Sequence, residues 1–206
     1  MSKWLRRAMR PVIALTANLF VAACGMTGAP MAEYVLGTPP PAVTASMTIT
    51  ALPIVEVKPT RLPDYLDTKS LFVRRGNELK PSATGRWGER LSVGLTRAVA
   101  ASLAARLPNA AVTTAPPVGS EVTLQVLIDV DAFEATAEHD VVLAGTWTIS
   151  SGSSRIALTS ERFSIGGPIA GSGDSAAVAA MTKAVEDLAG QIVTGVQHSL
   201  PRRPIK

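Results

Sequence analysis

From Glu121 to Asp131 apolar and polar residues alternate. Val122, Leu124, Val126, Ile128 and Val130 stand against Glu121, Thr123, Gln125, Asp129 and Asp131, and Leu127 is the one break. Successive side chains of a strand point to opposite faces, so this segment predicts a β-strand with one face in the core and the other in water. His139 to Ser150 and Arg155 to Ile165 predict two more strands, and Ser151-Gly152-Ser153-Ser154 between them has the composition of a hairpin turn. In two other places the spacing changes to three and four. Trp87, Leu91, Leu95, Ala98, Val99, Ser102, Leu103 and Arg106 predict an amphipathic helix over about 86–107, with helix-start residues at Ser82 to Thr84 and a stop at Pro108. Val178, Met181, Val185, Leu188, Ile192 and Val196 predict a second helix, which begins at Asp174 or Ser175 and ends before Pro201.

Ahead of these lie shorter signals. Glu33 to Gly37 reads as a first short strand and Pro39-Pro40-Pro41 as extended polyproline. Thr48 to Val57 has the β-branched content of a strand that Pro53 confines to an edge or a bulge. The order is strands, helix, strands, helix, with three consecutive strands between the helices, where hairpins are the shortest connections. It predicts an α+β fold: a mostly antiparallel sheet with two amphipathic helices packed on one face.

The chain has 206 residues, 47% of them hydrophobic and only 4% aromatic, which suits one domain with an aliphatic core and excludes general disorder. The net charge of +4 would raise nucleic acid as a partner. That excess comes from Lys3, Arg6, Arg7 and Arg10; without residues 1–23 the remaining chain has sixteen basic and sixteen acidic groups. The electrostatic argument for nucleic acid then disappears.

Those first ten residues are a cationic n-region, and residues 11–23 (PVIALTANLFVAA) are an apolar run ending in small residues, the pattern of a secretory signal peptide. As a helix the run is about 20 Å long, too short for a hydrocarbon core of roughly 30 Å. It ends Val21-Ala22-Ala23-Cys24-Gly25, which resembles the lipobox of bacterial lipoproteins, with cleavage between Ala23 and Cys24 and acylation of Cys24. Cys24 is the single cysteine of the chain, so no internal disulfide can form. Gly25 in place of aspartate implies, by that resemblance, sorting to the outer membrane. The expected organisation is a signal peptide over 1–23, a lipidated tether over 24–32, a folded domain over 33–200 and a disordered tail over 201–206.

Constellations that would carry catalysis are weak. Gly171-Ser172-Gly173-Asp174-Ser175-Ala176 matches G-x-G-x-x-A, yet only one helix follows it, so no second parallel strand exists to bring a ribose-binding acid. It reads as a loop with Asp174 as helix N-cap. Asp129, Asp131, Glu134, Glu138, His139 and Asp140 form an acidic cluster in which Asp129 and Asp131 share one strand face; no glycine makes the tight loop of a cation site, and Glu134 to Asp140 reads as a solvated hairpin between strands. His139 and His198 sit in no motif that places them beside a serine. The expectation is a protein without enzymatic activity, cofactor or metal.

The most distinctive stretch is Leu62-Pro63-Asp64-Tyr65-Leu66-Asp67, followed by Leu71-Phe72-Val73-Arg74 and Arg86-Trp87-Gly88-Glu89-Arg90-Leu91. Locally it reads as a corner in which Pro63 breaks a strand, Tyr65 and Leu66 plug the core and Trp87 anchors a helix. Asp64 and Asp67 are expected at the surface, with partner docking and, for Asp67, capping of a turn as competing roles.

Here the chain resembles the ABC-type transport auxiliary lipoproteins, the family of paraquat-inducible protein C. The residues that carry the resemblance are the lipobox, Tyr34-Val35-Leu36, the L-P-x-Y-L-D segment, the strand ending at Arg74 and the R-W-x-E-x-L start at Arg86 and Trp87. The resemblance implies a non-catalytic, periplasm-facing subunit, anchored in the outer membrane through Cys24, of a phospholipid-trafficking system that maintains outer-membrane integrity. Its implied partners are a mammalian cell entry (MCE) domain protein and an associated inner-membrane transporter. Homo-oligomers are implied, with phospholipid as a candidate ligand. The alternatives are a lipid-anchored hydrolase with a serine near Gly166 to Ser175, and a structural lipoprotein that grips peptidoglycan or a secretin.

Overall fold

The computed structural model describes residues 30–37 and 52–200. The expected signal peptide, Cys24 and most of the expected tether lie outside the described residues, as do Pro39-Pro40-Pro41, the first residues of the strand expected over Thr48 to Val57, and the tail. The elements run β1 (Ala32–Tyr34), β2 (Ile54–Val57), β3 (Ser70–Arg75), β4 (Glu78–Trp87), α1 (Leu91–Arg106), β5 (Ala111–Thr113), β6 (Val122–Thr136), β7 (Asp140–Ser151), β8 (Ala157–Pro168) and α2 (Gly173–Ser199).

The eight strands form one sheet, and it is mixed. The expected mostly antiparallel sheet is therefore corrected. β6–β7, β7–β8 and β3–β4 are antiparallel, whereas β1–β4, β2–β5, β2–β6 and β3–β6 are parallel. The reason is the path of the chain. β7 takes one edge of β6 along nearly its whole length, from Leu124↔Ser151 to Ala135↔Val141. A single pass from Ile54 to Arg74 takes the other: β2 pairs with its start, Arg61 bridges to Asp129, and β3 pairs with its end at Val73↔Ala135. That pass runs in the same direction as β6, so its pairings are parallel. The sheet thus forks beyond β6 into a β2–β5 arm and a β3–β4–β1 arm.

Two segments differ from expectation for local reasons. Ser82 to Thr84 belongs to β4, and α1 begins at Leu91, because Arg86 and Trp87 complete a strand whose Pro81 lies beyond the residues that β1 pairs. Proline is tolerated where a strand has no second neighbour. β6 also continues past Asp131, where a bulge between Val130 and Ala132 shifts the inward-facing set from even to odd positions. Phe133 and Ala135 therefore join the core, and Glu134, expected in a solvated hairpin, is a buried strand residue.

Both helices pack against the sheet and against each other. The stripe Val178, Met181, Val185, Leu188, Ile192 and Val196 is buried, as are Leu91, Leu95, Val99 and Leu103 of α1 and Val126, Ile128, Leu143, Trp147 and Ile149 of the sheet. No helix among the described residues is long and apolar enough to cross a membrane.

The approach of α2 to β7 depends on Gly195: a Cβ there would lie 2.7 Å from the Trp147 ring and 2.8 Å from Ile149 Cδ1, whereas one on Gly190 would meet nothing. Both glycines weaken a helix intrinsically. Gly190→Ala should therefore raise stability by about 0.5–1 kcal/mol, and Gly195→Val should lower it by about 1–3 kcal/mol through overpacking. Paired denaturant titrations check the opposite signs.

Candidate functional site: the motif loop and the anchored strand

The loop 58–69 fills the fork. Its backbone continues the ladder along β6, with the Lys58 N–H donating to the Val126 carbonyl (2.9 Å), the Arg61 N–H to Ile128 (3.0 Å) and the Val130 N–H to Arg61 (2.9 Å). Thr60 is buried, and its N–H donates to Thr96 Oγ1 of α1 at 2.9 Å. Pro63 then starts a tight turn in which the Leu66 and Asp67 N–H groups both donate to its carbonyl. The turn drives Leu66 into the core at 1% exposure, with Leu62 half-buried against it.

Tyr65 takes the opposite course to the one expected. It is 41% exposed, and its hydroxyl reaches the Asp131 carbonyl at 3.4 Å. Leu66 and Tyr65 are adjacent on a turn, so only one can point inward, and the aliphatic side chain does. Asp64 is exposed.

Asp67 is the cap of α1, delivered from a distant loop. Arg90 at the N-cap position makes no side-chain capping bond of its own. Instead the Ser92 N–H donates to Asp67 Oδ1 at 3.0 Å, Arg90 pairs with Oδ2, and the Leu91 N–H donates to the Thr68 carbonyl at 3.2 Å. A carboxylate at this position satisfies orphan donors and complements the helix dipole. Burial pushes the Asp67 carboxyl up, but the bonds from Ser92 and the Arg90 guanidinium outweigh it and hold its pKa below the usual value. Both carboxylate oxygens are engaged within the fold.

Arg74 pairs with Glu134, whose side chain is only 3% exposed. The pair raises the guanidinium pKa further. Glu134 Oε2 is buried and has no partner, so Arg74 is what offsets the desolvation of this carboxylate. Asp129 and Asp131 pair with Arg61 and Arg162. Each carboxylate of this stretch of β6 thus faces an arginine. No cluster of metal-ligating groups occurs among the described residues.

Trp87 is buried at 2% beside the N-terminal strand. β1 lies parallel to β4, with Glu33 opposite Arg86 and Tyr34 opposite Trp87. Arg86 Nε donates to Glu33 Oε1 at 3.0 Å, and the Gly88 N–H donates to the Tyr34 carbonyl at 2.7 Å. Leu36 is buried at 1%, Arg97 donates to its carbonyl, and the Gly37 N–H reaches Thr182 Oγ1 on α2. The first described strand and the residues after it are therefore clamped by the sheet and both helices. A Cβ on Gly85 would collide with Asp174 and Tyr34, so this junction is tightly packed. Asp174 is not the N-cap, a position Ser172 occupies; its carboxylate accepts bonds from Ser82 Oγ (2.8 Å) and Thr84 Oγ1 (2.6 Å) and ties α2 to β4.

Thr60, Thr96, Glu134 and the Ser82–Thr84–Asp174 junction were not singled out as structural partners by the sequence. A buried threonine pair from two remote segments leaves no local pattern. A carboxylate within an otherwise apolar run, as at Glu134, is the one signal that could have been followed.

Residues 34–193 match the family described as ABC-type transport auxiliary lipoprotein component. No curated protein sequence matches the chain significantly. Among solved structures, an uncharacterized protein superposes with a TM-score of 0.64 at 18% identity, covering 70% of this chain and 92% of its own. A Xanthomonas campestris protein of the DUF330 family gives a TM-score of 0.56 at 20% identity, covering 82% of this chain and 97% of its own. At these identities the two structures establish likeness of fold.

Asp67→Ala should cost about 1–2 kcal/mol through loss of the cap, and Asp64→Ala less than about 0.5 kcal/mol. Asp67 binds its proton less tightly folded than unfolded. Its contribution is therefore present above about pH 4 and lost as pH falls toward its depressed pKa, a dependence that Asp67→Asn removes from acid-unfolding curves. Arg74→Ala leaves Glu134 buried without its partner and should cost about 3 kcal/mol by urea titration, more than the exposed-pair variant Arg162→Ala.

Proposed function

Because the chain belongs to the family of ABC-type transport auxiliary lipoprotein components, we propose that it is the outer-membrane-anchored, periplasm-facing member of an MCE-type system that moves phospholipid between membranes. The observation that carries this reading is the register of two signals: the family match begins at Tyr34, ten residues after the lipobox cysteine. Acyl chains on Cys24 fix one end, since two or more chains anchor stably at about 0.8 kcal/mol per buried methylene. The tether then reaches a strand that is clamped on three sides, so the anchor acts on the whole domain rather than on a loose arm.

The role proposed is positional and non-catalytic, with the domain receiving a protein conduit and phospholipid as the cargo. The paired carboxylates of β6 and the exposed position of both histidines favour this over a hydrolase. Self-association is part of the reading, because several copies would be needed to surround a conduit.

The test is purification of full-length protein from membranes after metabolic labelling with a fatty acid. Wild type should carry label and recover an MCE-domain protein. Cys24→Ala should be unlabelled and unprocessed, with its domain folded. Label on Cys24→Ala, or labelled wild type that never recovers an MCE-domain protein even after crosslinking, would contradict the reading.

A further inference from the structure

β1 runs antiparallel to β6 and is separated from it by β4 and β3, so Ala32 is the end of β1 that points to where β6 finishes. The other end, where β6 starts and the β7–β8 turn lies against Thr123, is roughly 45 Å away at about 3.3 Å per strand residue. Val118, Ile156 and Leu158 are at that remote end, and they are exposed by 107%, 64% and 49%. β8 starts there too. It pairs with β7 alone, so that among the described residues no strand bonds to its outer backbone groups over Ala157–Pro168. The other two edges, β1 and β5, are only three residues long, the usual way a sheet blunts an edge.

Beside the final residues of β8 runs a cleft of about 330 Å³, lined by Ile165, Gly166 and Gly167 on one side and, on the other, by Ala176, Ala179 and Ala180 of α2 together with Lys183 and Asp187, whose charges pair with each other. A strand laid along β8 would bond to the open edge and turn alternate side chains into this cleft. Edge pairing supplies affinity and the cleft selects the side chains.

We propose that β8 is a docking edge for an extended, largely uncharged segment of a different protein, which engages Ile156 and Leu158 first and the alanine-lined cleft at its far end. A second copy fits poorly. Twofold pairing of β8 with β8 is antiparallel and would turn one copy end for end, and the nine-residue tether expected over 24–32, spanning at most about 32 Å, would hold the same end of every copy near one membrane. A neighbour's β1 or β5 offers only three residues against twelve. The inference rests on the reading of a lipid-anchored subunit that receives a protein conduit, and it names the receiving surface.

Photo-crosslinking in cells tests it, with benzoylphenylalanine at Leu158, at Ala179 in the cleft, and at exposed Val93 of α1 as control. Leu158 and Ala179 should both crosslink to one protein other than this chain, at sites within about ten residues of each other on a single segment, and Val93 should not. Leu158→Asp combined with Ala179→Asp should lower recovery of that protein at least tenfold with an unchanged melting temperature. No adduct from Leu158 and Ala179, adducts only with a second copy, or adducts to unrelated segments would overturn the proposal. If wild type recovers an MCE-domain protein and the double variant recovers it equally, the docking edge fails and the proposed function stands. If both positions crosslink to one segment of some other protein, the edge stands and the proposed function fails.

Discussion

A fifteen-residue strand at the centre of a sheet must have backbone partners on both sides, and how β6 obtains the second set governs the rest of this structure. β7 supplies the first through a hairpin. The second comes from one pass of chain that pairs as β2, touches again at Arg61 and pairs once more as β3. Between those contacts the chain must leave the ladder and return, and the Leu62 to Asp67 segment is that excursion. Its proline turn buries Leu66, its Asp67 starts α1, and Thr60 just before it bonds to Thr96 on the same helix. The motif that distinguishes the sequence thus joins the two arms of the sheet to the helix that covers them.

The periodic elements were legible because their patterns are long. Alternation over Val122 to Val130 and the α2 stripe each repeat often enough to define a face, and they fall on β6 and α2. The parallel pairings were not legible. β1, β2 and β5 are three or four residues long, too short to show a period, and period carries no information about direction. Direction follows from the route of the chain, which only tertiary structure sets. β4 was misread as the start of a helix because Ser82 and Thr84 resemble capping residues; in fact their hydroxyls bond to Asp174 from across the fold. The same holds for Tyr65 and Leu66, where composition cannot tell which neighbour on a turn faces inward, and for Glu134, which one bulge moves from an expected hairpin into a buried ladder.

The functional reading depends on where this architecture puts its ends. The first described strand is integrated through Leu36, Trp87 and the Glu33–Arg86 pair, so an anchor at the proposed position would act on the body of the sheet. Among the described residues the sheet ends its other edges in short strands and leaves the longest one without a partner. In a small domain with an aliphatic core, that asymmetry is the clearest departure from a closed, self-sufficient fold.

The central claim is that the pass from Ile54 to Arg74 is part of the sheet rather than a loop beside it. Native-state hydrogen exchange at the amides of Lys58, Arg61 and Val130 measures this most directly, because each donates across the join between that pass and β6. The account predicts that they exchange only with global unfolding, together with the core amides of β6 and α1. Exchange at the rate of an exposed loop, while the β6–β7 ladder stays protected, would contradict it.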